Sequence, residues 1–202
     1  MFNLIRRDAI LQKKMLLTFI PFILFFIIMD IHHPAFIFLV ASLFIPFNAY
    51  SYDEKAETNI LLNSLPYTRK EIIAARYLGS IFYTLLAFAV TGVTLFLFNK
   101  PFTLTDIAIG GGLFLIFAAF TFPLFYILKP GHIATVVIII FLALAAVGPH
   151  VFRFLAEHFT TITAFLNNLT TEVLYVGAAA IILTLYAISW VFTTIIYQRK
   201  AF

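Results

Sequence analysis

Cysteine is absent from the 202 residues, which removes disulfides, thiol nucleophiles and sulfur-ligated metals together. Charge is scarce as well. Asp, Glu, Lys and Arg make up 11% of the chain, about half the share of an ordinary soluble domain. The sequence holds no G-x-x-x-x-G-K-[ST] phosphate loop, no Gly-x-Ser-x-Gly elbow and no His-Glu-x-x-His pair, so ATP hydrolysis and the usual serine or zinc proteolysis lack their groups. The chain is therefore not expected to be an enzyme, nor to hold a cofactor or metal of its own. What is present in quantity is apolar surface: 63% hydrophobic residues, 26 of them Phe, and a mean hydropathy of +1.05. Too little polar surface remains to cover a fold in water, which makes this an all-α integral membrane protein with a single transmembrane domain over 1–202.

Six apolar runs are long enough to cross a hydrocarbon core, which takes about 20 helical residues. They fall at 15–31, 35–52, 75–98, 105–128, 132–149 and 173–197. With the N-terminus inside, the inner segments hold Arg6, Arg7, Lys13, Lys14, Lys55, Arg69, Lys70, Arg76, Lys129, Arg199 and Lys200, and the outer segments only Lys100 and Arg153. The excess of cations inside predicts cytoplasmic N- and C-termini. The pI near 9.4 then reads as attraction to an anionic inner leaflet rather than to nucleic acid. No acidic or basic residue is expected deep in a span, so an ion-coupled carrier lacks its usual midplane group. Asn48, Thr94, Thr121, Tyr126 and Ser189 are the polar residues nearest that role, and are read as helix-packing hydrogen bonders.

Local signals set the boundaries. Thr68-Arg69-Lys70-Glu71 predicts a capping box that starts the third span, with the Thr68 hydroxyl accepting from the Glu71 N–H while the Glu71 carboxylate reaches back. Thr103-Leu104-Thr105-Asp106 resembles the same device before the fourth. Lys129-Pro130-Gly131-His132 predicts a sharp turn between the fourth and fifth spans. Pro21, Pro46 and Pro123 fall inside spans, where neighbouring helices can re-satisfy the freed carbonyls. Gly110-Gly111-Gly112 predicts close helix packing. Asp30, His32, His33, His150 and His158 all map outside and are read as interfacial residues, not as a metal site.

Two segments read as amphipathic instead of spanning. Residues 1–14 mix Phe2, Ile5 and Ala9 with Arg6, Arg7, Lys13 and Lys14, as in a helix lying at the inner leaflet. In 151–169, the candidate external gate residues Phe152, Leu155, Phe159, Ile162 and Leu166 recur every three or four positions opposite Arg153, Glu157 and Asn167, giving an external amphipathic or re-entrant helix.

The remaining feature is a charged island between the second and third spans. Asp53 is an N-cap candidate, Glu54 and Glu57 supply acids in a first turn, and Ile60, Leu61, Leu62 and Leu65 lead to a Pro66 stop. That order describes a short helix over 53–66 able to present mixed polar and apolar side chains to a groove on a soluble partner.

Leu61-Leu62-Asn63-Ser64-Leu65-Pro66-Tyr67-Thr68-Arg69-Lys70-Glu71-Ile72 closely resembles the cytoplasmic loop of ABC-2 type permeases, the membrane subunits of bacterial ABC exporters. Asn3-Leu4-Ile5-Arg6-Arg7-Asp8 with Leu11-Gln12-Lys13-Lys14 is similar to that family's basic interface helix. Within the family the chain looks most like the short permeases that include the membrane subunits of the phenol-soluble modulin exporter of staphylococci. The resemblance implies a multi-pass subunit of a bacterial cell membrane, paired with a second permease copy or paralogue and with cytosolic ATP-binding subunits that hold ATP and Mg. It implies that Asp53, Glu54, Glu57, Ile60, Leu61, Leu62 and Leu65 form the coupling helix to the ATPase, and that 151–169 is re-entrant structure at the external gate. The cargo expected from so apolar a path is hydrophobic or amphipathic, antimicrobial or cytolytic peptides included. A rival of another class is a membrane scaffold or immunity protein that sequesters a peptide without pumping it; an ATP-binding partner separates the two.

Overall fold

The computed structural model describes residues 2–11, 13–29, 33–55, 62, 66–128, 133–158 and 169–199. Every regular element among them is helical: α1 (Phe2–Leu11), α2 (Lys13–Ile28), α3 (Pro34–Lys55), α4 (Arg69–Leu97), α5 (Leu104–Ile127), α6 (Ile133–His158) and α7 (Thr171–Arg199). Three helices, α4, α5 and α7, are each long and apolar enough to cross a membrane, and Thr18–Ile28 and Pro34–Tyr50 are shorter apolar stretches. At 1.5 Å per residue, the 24 residues of α5 reach about 36 Å, enough for a hydrocarbon core of about 30 Å.

The helix ends follow from local chemistry. At the start of α4 the Glu71 N–H donates to Thr68 Oγ1 at 3.2 Å, and the Thr68 N–H donates to Glu71 Oε2 at 2.8 Å. Both halves of the expected box are formed. The box before α5 closes with a shorter acid: the Asp106 N–H donates to Thr103 Oγ1 at 3.3 Å and the Thr103 N–H to Asp106 Oδ2 at 2.8 Å. α4 ends where Asn99 takes a left-handed φ of 53°. The Asn99 and Lys100 N–H groups then fold back onto the Phe96 and Leu95 carbonyls, the pairing that satisfies the last open acceptors of a helix.

α5 is the central element, packed against α3 on one side and α7 on another, while α4 touches both α3 and α7. Gly110 allows the α3–α5 crossing: a Cβ there would lie 2.8 Å from Phe38 Cβ and 3.0 Å from the Ala35 carbonyl oxygen. Small residues permit such backbone approach where no hydrophobic force drives helices together in lipid, so the glycine run serves the packing role expected of it. α1 docks on α4 through Tyr83, whose hydroxyl donates to the Ile5 carbonyl at 2.6 Å. Pro21, Pro46 and Pro123 lie within helices that continue past them.

Two boundaries differ from those expected. Asp53, Glu54 and Lys55 are the last residues of α3, so Asp53 continues a helix and does not cap a new one. Fully helical neighbours on its N-terminal side extend the second span, and nothing in Tyr50-Ser51-Tyr52 breaks it. Likewise α6 runs through Pro149 to His158, joining the fifth apolar run to the start of the 151–169 segment. A proline only removes one N–H and kinks a helix that neighbours can sustain. The Lys129-Pro130-Gly131-His132 turn lies outside the described residues.

Candidate transport cleft and its hydroxyl network

Between α5, α6 and α7 lies an open cleft of about 950 Å³, at the upper end of the size range of small-molecule sites. Pro123 and Ile127 of α5, Ile140 and Gly148 of α6, and Ile188 and Phe192 of α7 represent its walls. Among the described residues that line it, the single polar side chain is Ser189.

Ser189 belongs to a buried line of hydroxyls that crosses from α7 to α4 and α5. Its Oγ donates to the Ala119 carbonyl at 2.6 Å. Tyr77 OH lies 2.8 Å from Ser189 Oγ and 2.7 Å from Thr193 Oγ1. Because a carbonyl can only accept, the Ser189 hydrogen is committed to Ala119; Tyr77 must then donate to Ser189, and Thr193 to Tyr77. Ser80 and Tyr186 extend the contact: both donate toward the Tyr77 carbonyl, at 2.8 and 3.0 Å, and their oxygens are 2.7 Å apart. All five side chains are buried. The Trp190 ring stacks on Tyr77 with centroids 5.7 Å apart.

The Ala119 bond has a covalent cause. Four residues on stands Pro123, which has no N–H to close the helical bond to that carbonyl. The Ser189 hydroxyl supplies the missing donor from α7.

At the end of the bundle that carries Thr68, two arginines tie α4 to its neighbours. Arg69 donates from Nη1 to the Gln198 carbonyl at 2.7 Å and to the Tyr197 carbonyl at 3.4 Å. A cation is favourable there because the last carbonyls of α7 carry partial negative charge. Arg76, at 9% exposure, places its guanidinium carbon 5.4 Å from the centre of the Tyr50 ring. No buried cation was expected in a span. Arg76 is held two turns into α4 by the face of an aromatic ring, which attracts cations.

At the opposite end, Asp106 is buried, its Oδ1 lies 3.2 Å from His33 Nδ1 and its Oδ2 accepts from Thr103. Among the described residues no three His, Cys, Asp or Glu side chains gather as metal ligands.

The sequence matches the family described as ABC-2 family transporter protein over residues 3–198. The chain belongs to that family. No curated protein and no solved structure matches it. It is thus a multi-pass membrane permease component of an ABC transporter, a class whose ATP hydrolysis resides in associated subunits.

In this permease the expected site residues fare differently. Thr68 and Glu71 form their cap. Asp53 and Glu54 sit in the last turn of α3, and Leu62 is turned inward, 2% exposed, in the same buried cluster as Leu4, Tyr50 and Ile72. Leu62 therefore contributes to the core. Glu57, Ile60, Leu61 and Leu65 lie outside the described residues. Phe152 and Leu155 belong to the end of α6, whereas Phe159, Ile162 and Leu166 lie outside the described residues. Of the polar candidates, Asn48, Thr94 and Thr121 bond carbonyls one turn back on their own helices, Tyr126 packs its ring against Tyr50 of α3 and Tyr197 of α7, and Ser189 bridges helices by its bond to the Ala119 carbonyl. Tyr77, Ser80, Tyr186 and Thr193 were missed. Their signal was a hydroxyl at helical spacing on otherwise apolar helices, as in Tyr186, Ser189, Thr193 and Tyr197.

Proposed function

We propose that this permease pairs with a second permease, a copy or a paralogue, and moves hydrophobic or amphipathic cargo out of a bacterial cell across the cytoplasmic membrane, with both termini in the cytoplasm and six helices crossing. ATP and Mg²⁺ are held by separate ATP-binding subunits. The observation that carries the reading is the apolar cleft: in a chain of a transporter family, a cavity with one hydroxyl among apolar walls suits an apolar solute and suits ions or sugars poorly. Peptides with an apolar face are the expected cargo.

The charged stretch from Asp53 to Leu65 is the proposed contact with the ATPase. Its place supports this. It joins α3 and α4, and α4 is fastened at its start to α7 by Arg69 and to α3 by Arg76, so a push on that stretch would reach three helices together. Leu61→Asp is expected to leave membrane insertion intact and to abolish co-purification with the ATP-binding subunit, or the stimulation of its ATPase by cargo. Leu62→Asp is expected instead to destabilise the permease itself, because it buries a charge. Full cargo-stimulated ATPase activity in Leu61→Asp would overturn the coupling role.

A further inference from the structure

The apolar cleft has a cation at one end. Leu185, Ile188 and Phe192 form its α7 wall, and the same intervals of three and four continue through Ile195 to Arg199, so all five stand on one face of the helix. All five are exposed. α5 and α7 run parallel: a Cβ on Gly112 would lie 3.2 Å from Ile182, Ser189 bonds the Ala119 carbonyl, and the Tyr126 and Tyr197 rings meet edge to face. Ile127, the last residue of α5, lines the cleft, which therefore reaches the end of the bundle where Arg199 stands. Fourteen positions separate Leu185 from Arg199 and seven separate Phe192 from it, or about 21 and 10 Å of helix. One leaflet holds about 15 Å of hydrocarbon beneath its headgroups. With Arg199 at headgroup depth, the α7 wall lies at the depth of the acyl chains.

An apolar space of this kind does not fill with water, and walls left without neighbours forfeit their dispersion contacts. In a membrane the material at hand is hydrocarbon chain. We propose that the cleft is a seat for an anionic phospholipid of the leaflet on the Arg199 side, with one acyl chain along the α5–α6–α7 walls and the phosphate on the Arg199 guanidinium. A guanidinium matches a phosphate by paired N–H donors, and a cation at the membrane surface favours a net-negative headgroup over a zwitterionic one. No acidic residue occurs between positions 185 and 199 to oppose it. The proposal goes beyond the transport reading: it assigns a resident lipid, and it holds whether or not the complex moves cargo.

The test uses the full chain in phosphatidylcholine nanodiscs with a trace of photoreactive phosphatidylglycerol or photoreactive phosphatidylcholine, each with a diazirine in the same acyl chain. Labelled peptides are located by mass spectrometry. Labelling of the cleft walls is divided by that of Phe82 and Leu85 on α4, which are exposed away from the cleft. By this ratio phosphatidylglycerol is expected to exceed phosphatidylcholine about fivefold, as one cation near the surface supplies. Arg199→Gln should bring the two lipids to about equal labelling while phosphatidylcholine still labels the walls, and Arg199→Lys should keep most of the preference. Fraying of α7 would instead lower both lipids alike. A Cβ on Gly148 meets nothing within 4 Å and Val147 is 54% exposed, so Gly148→Trp and Val147→Trp can each fill the cleft and should remove labelling of its walls by both lipids. Equal labelling by the two lipids in the unmodified chain, a preference unchanged in Arg199→Gln, or wall labelling untouched in a folded Trp variant would overturn the assignment. So would walls that neither lipid labels, a result that places a protein neighbour there. Loss of transport by the whole complex would leave these results unchanged, so failure of the transport reading is distinguishable from failure of this one.

Discussion

α5 has two unlike faces. Toward α3, Gly110 comes so close that an added Cβ would lie 2.8 Å from Phe38 Cβ, whereas across the cleft from α5 a Cβ on Gly148 of α6 meets nothing within 4 Å. The first face is continuous with a buried aromatic cluster that includes Phe114, Phe122 and Phe125; the second opens on about 950 Å³ of space. In lipid, apolar side chains alone do not hold helices together, because acyl chains satisfy them equally well. Helices close on each other where glycine permits backbone approach or where hydroxyls bridge; on α5, Gly110 and Gly111 approach α3 and α4 and the Ser189 bond ties it to α7, and among the described residues neither device stands toward the mid-portion of α6. The sealed and the open face are thus set by where glycine and hydroxyl groups stand, not by how apolar each face is.

The sharpest break of this contrast is a side chain added to each glycine. Gly110→Ala is expected to cost about 1–3 kcal/mol, since the new methyl must displace backbone of α3 and not a flexible side-chain end; Gly110→Leu should prevent the crossing and leave little folded protein. Gly148→Leu should leave stability within about 0.5 kcal/mol, as a substitution with no neighbour to displace. Thermal unfolding of the purified variants in one detergent, followed by size-exclusion, reads both. Equal losses at the two positions would abolish the distinction between the faces.

A smaller effect is expected from the hydroxyl line. Tyr77→Phe deletes the donor to Ser189 and the acceptor for Thr193 while keeping the ring that stacks on Trp190. Interhelical hydrogen bonds in membranes average about 0.6 kcal/mol each, so the loss should be about 1–2 kcal/mol. The same unfolding assay measures it. If Tyr77→Phe proves neutral, the Tyr77 hydroxyl does not help to join α4 to α7, and this part of the line does not distinguish the sealed face.

Much of the fold could be read from residue order, for reasons that are local. Thr68 with Glu71 and Thr103 with Asp106 announce helix starts because a cap needs only four consecutive residues, and both formed as expected. The glycine run announced close packing, and Gly110 supplies it. What the order of residues could not show was which partner each group finds. Asp53 looks like a first-turn acid until the preceding helix is seen to continue through it. Leu62 looks like part of a docking face until it is found in the core. Ser189 was visible as a polar residue in a span, but its value comes from Pro123, 66 positions earlier, whose missing N–H opens a carbonyl that only the packed α5 and α7 bring within reach. Arg76 was read from chain position as a loop cation, and its burial depends on Tyr50 arriving from α3.

The smallest expected effects lie at the two helix starts, and they test whether the ends of α4 and α5 share the contrast seen between their faces. Thr68→Ala removes one cap at an exposed site, for which the typical loss is about 1 kcal/mol. Thr103→Ala removes the same cap from α5, yet there the acid that reaches back is buried beside His33. Without the Thr103 hydroxyl, Asp106 Oδ2 keeps only the backbone N–H, and a buried carboxylate that loses a partner is costlier than an exposed one. Thr103→Ala should therefore destabilise more than Thr68→Ala, by up to about 1 kcal/mol, although the two caps are alike in sequence. Matched unfolding curves of the two variants measure the gap. A gap of zero would mean that the α5 start is as open to solvent as the α4 start, and that the tight face toward α3 loosens before it reaches His33.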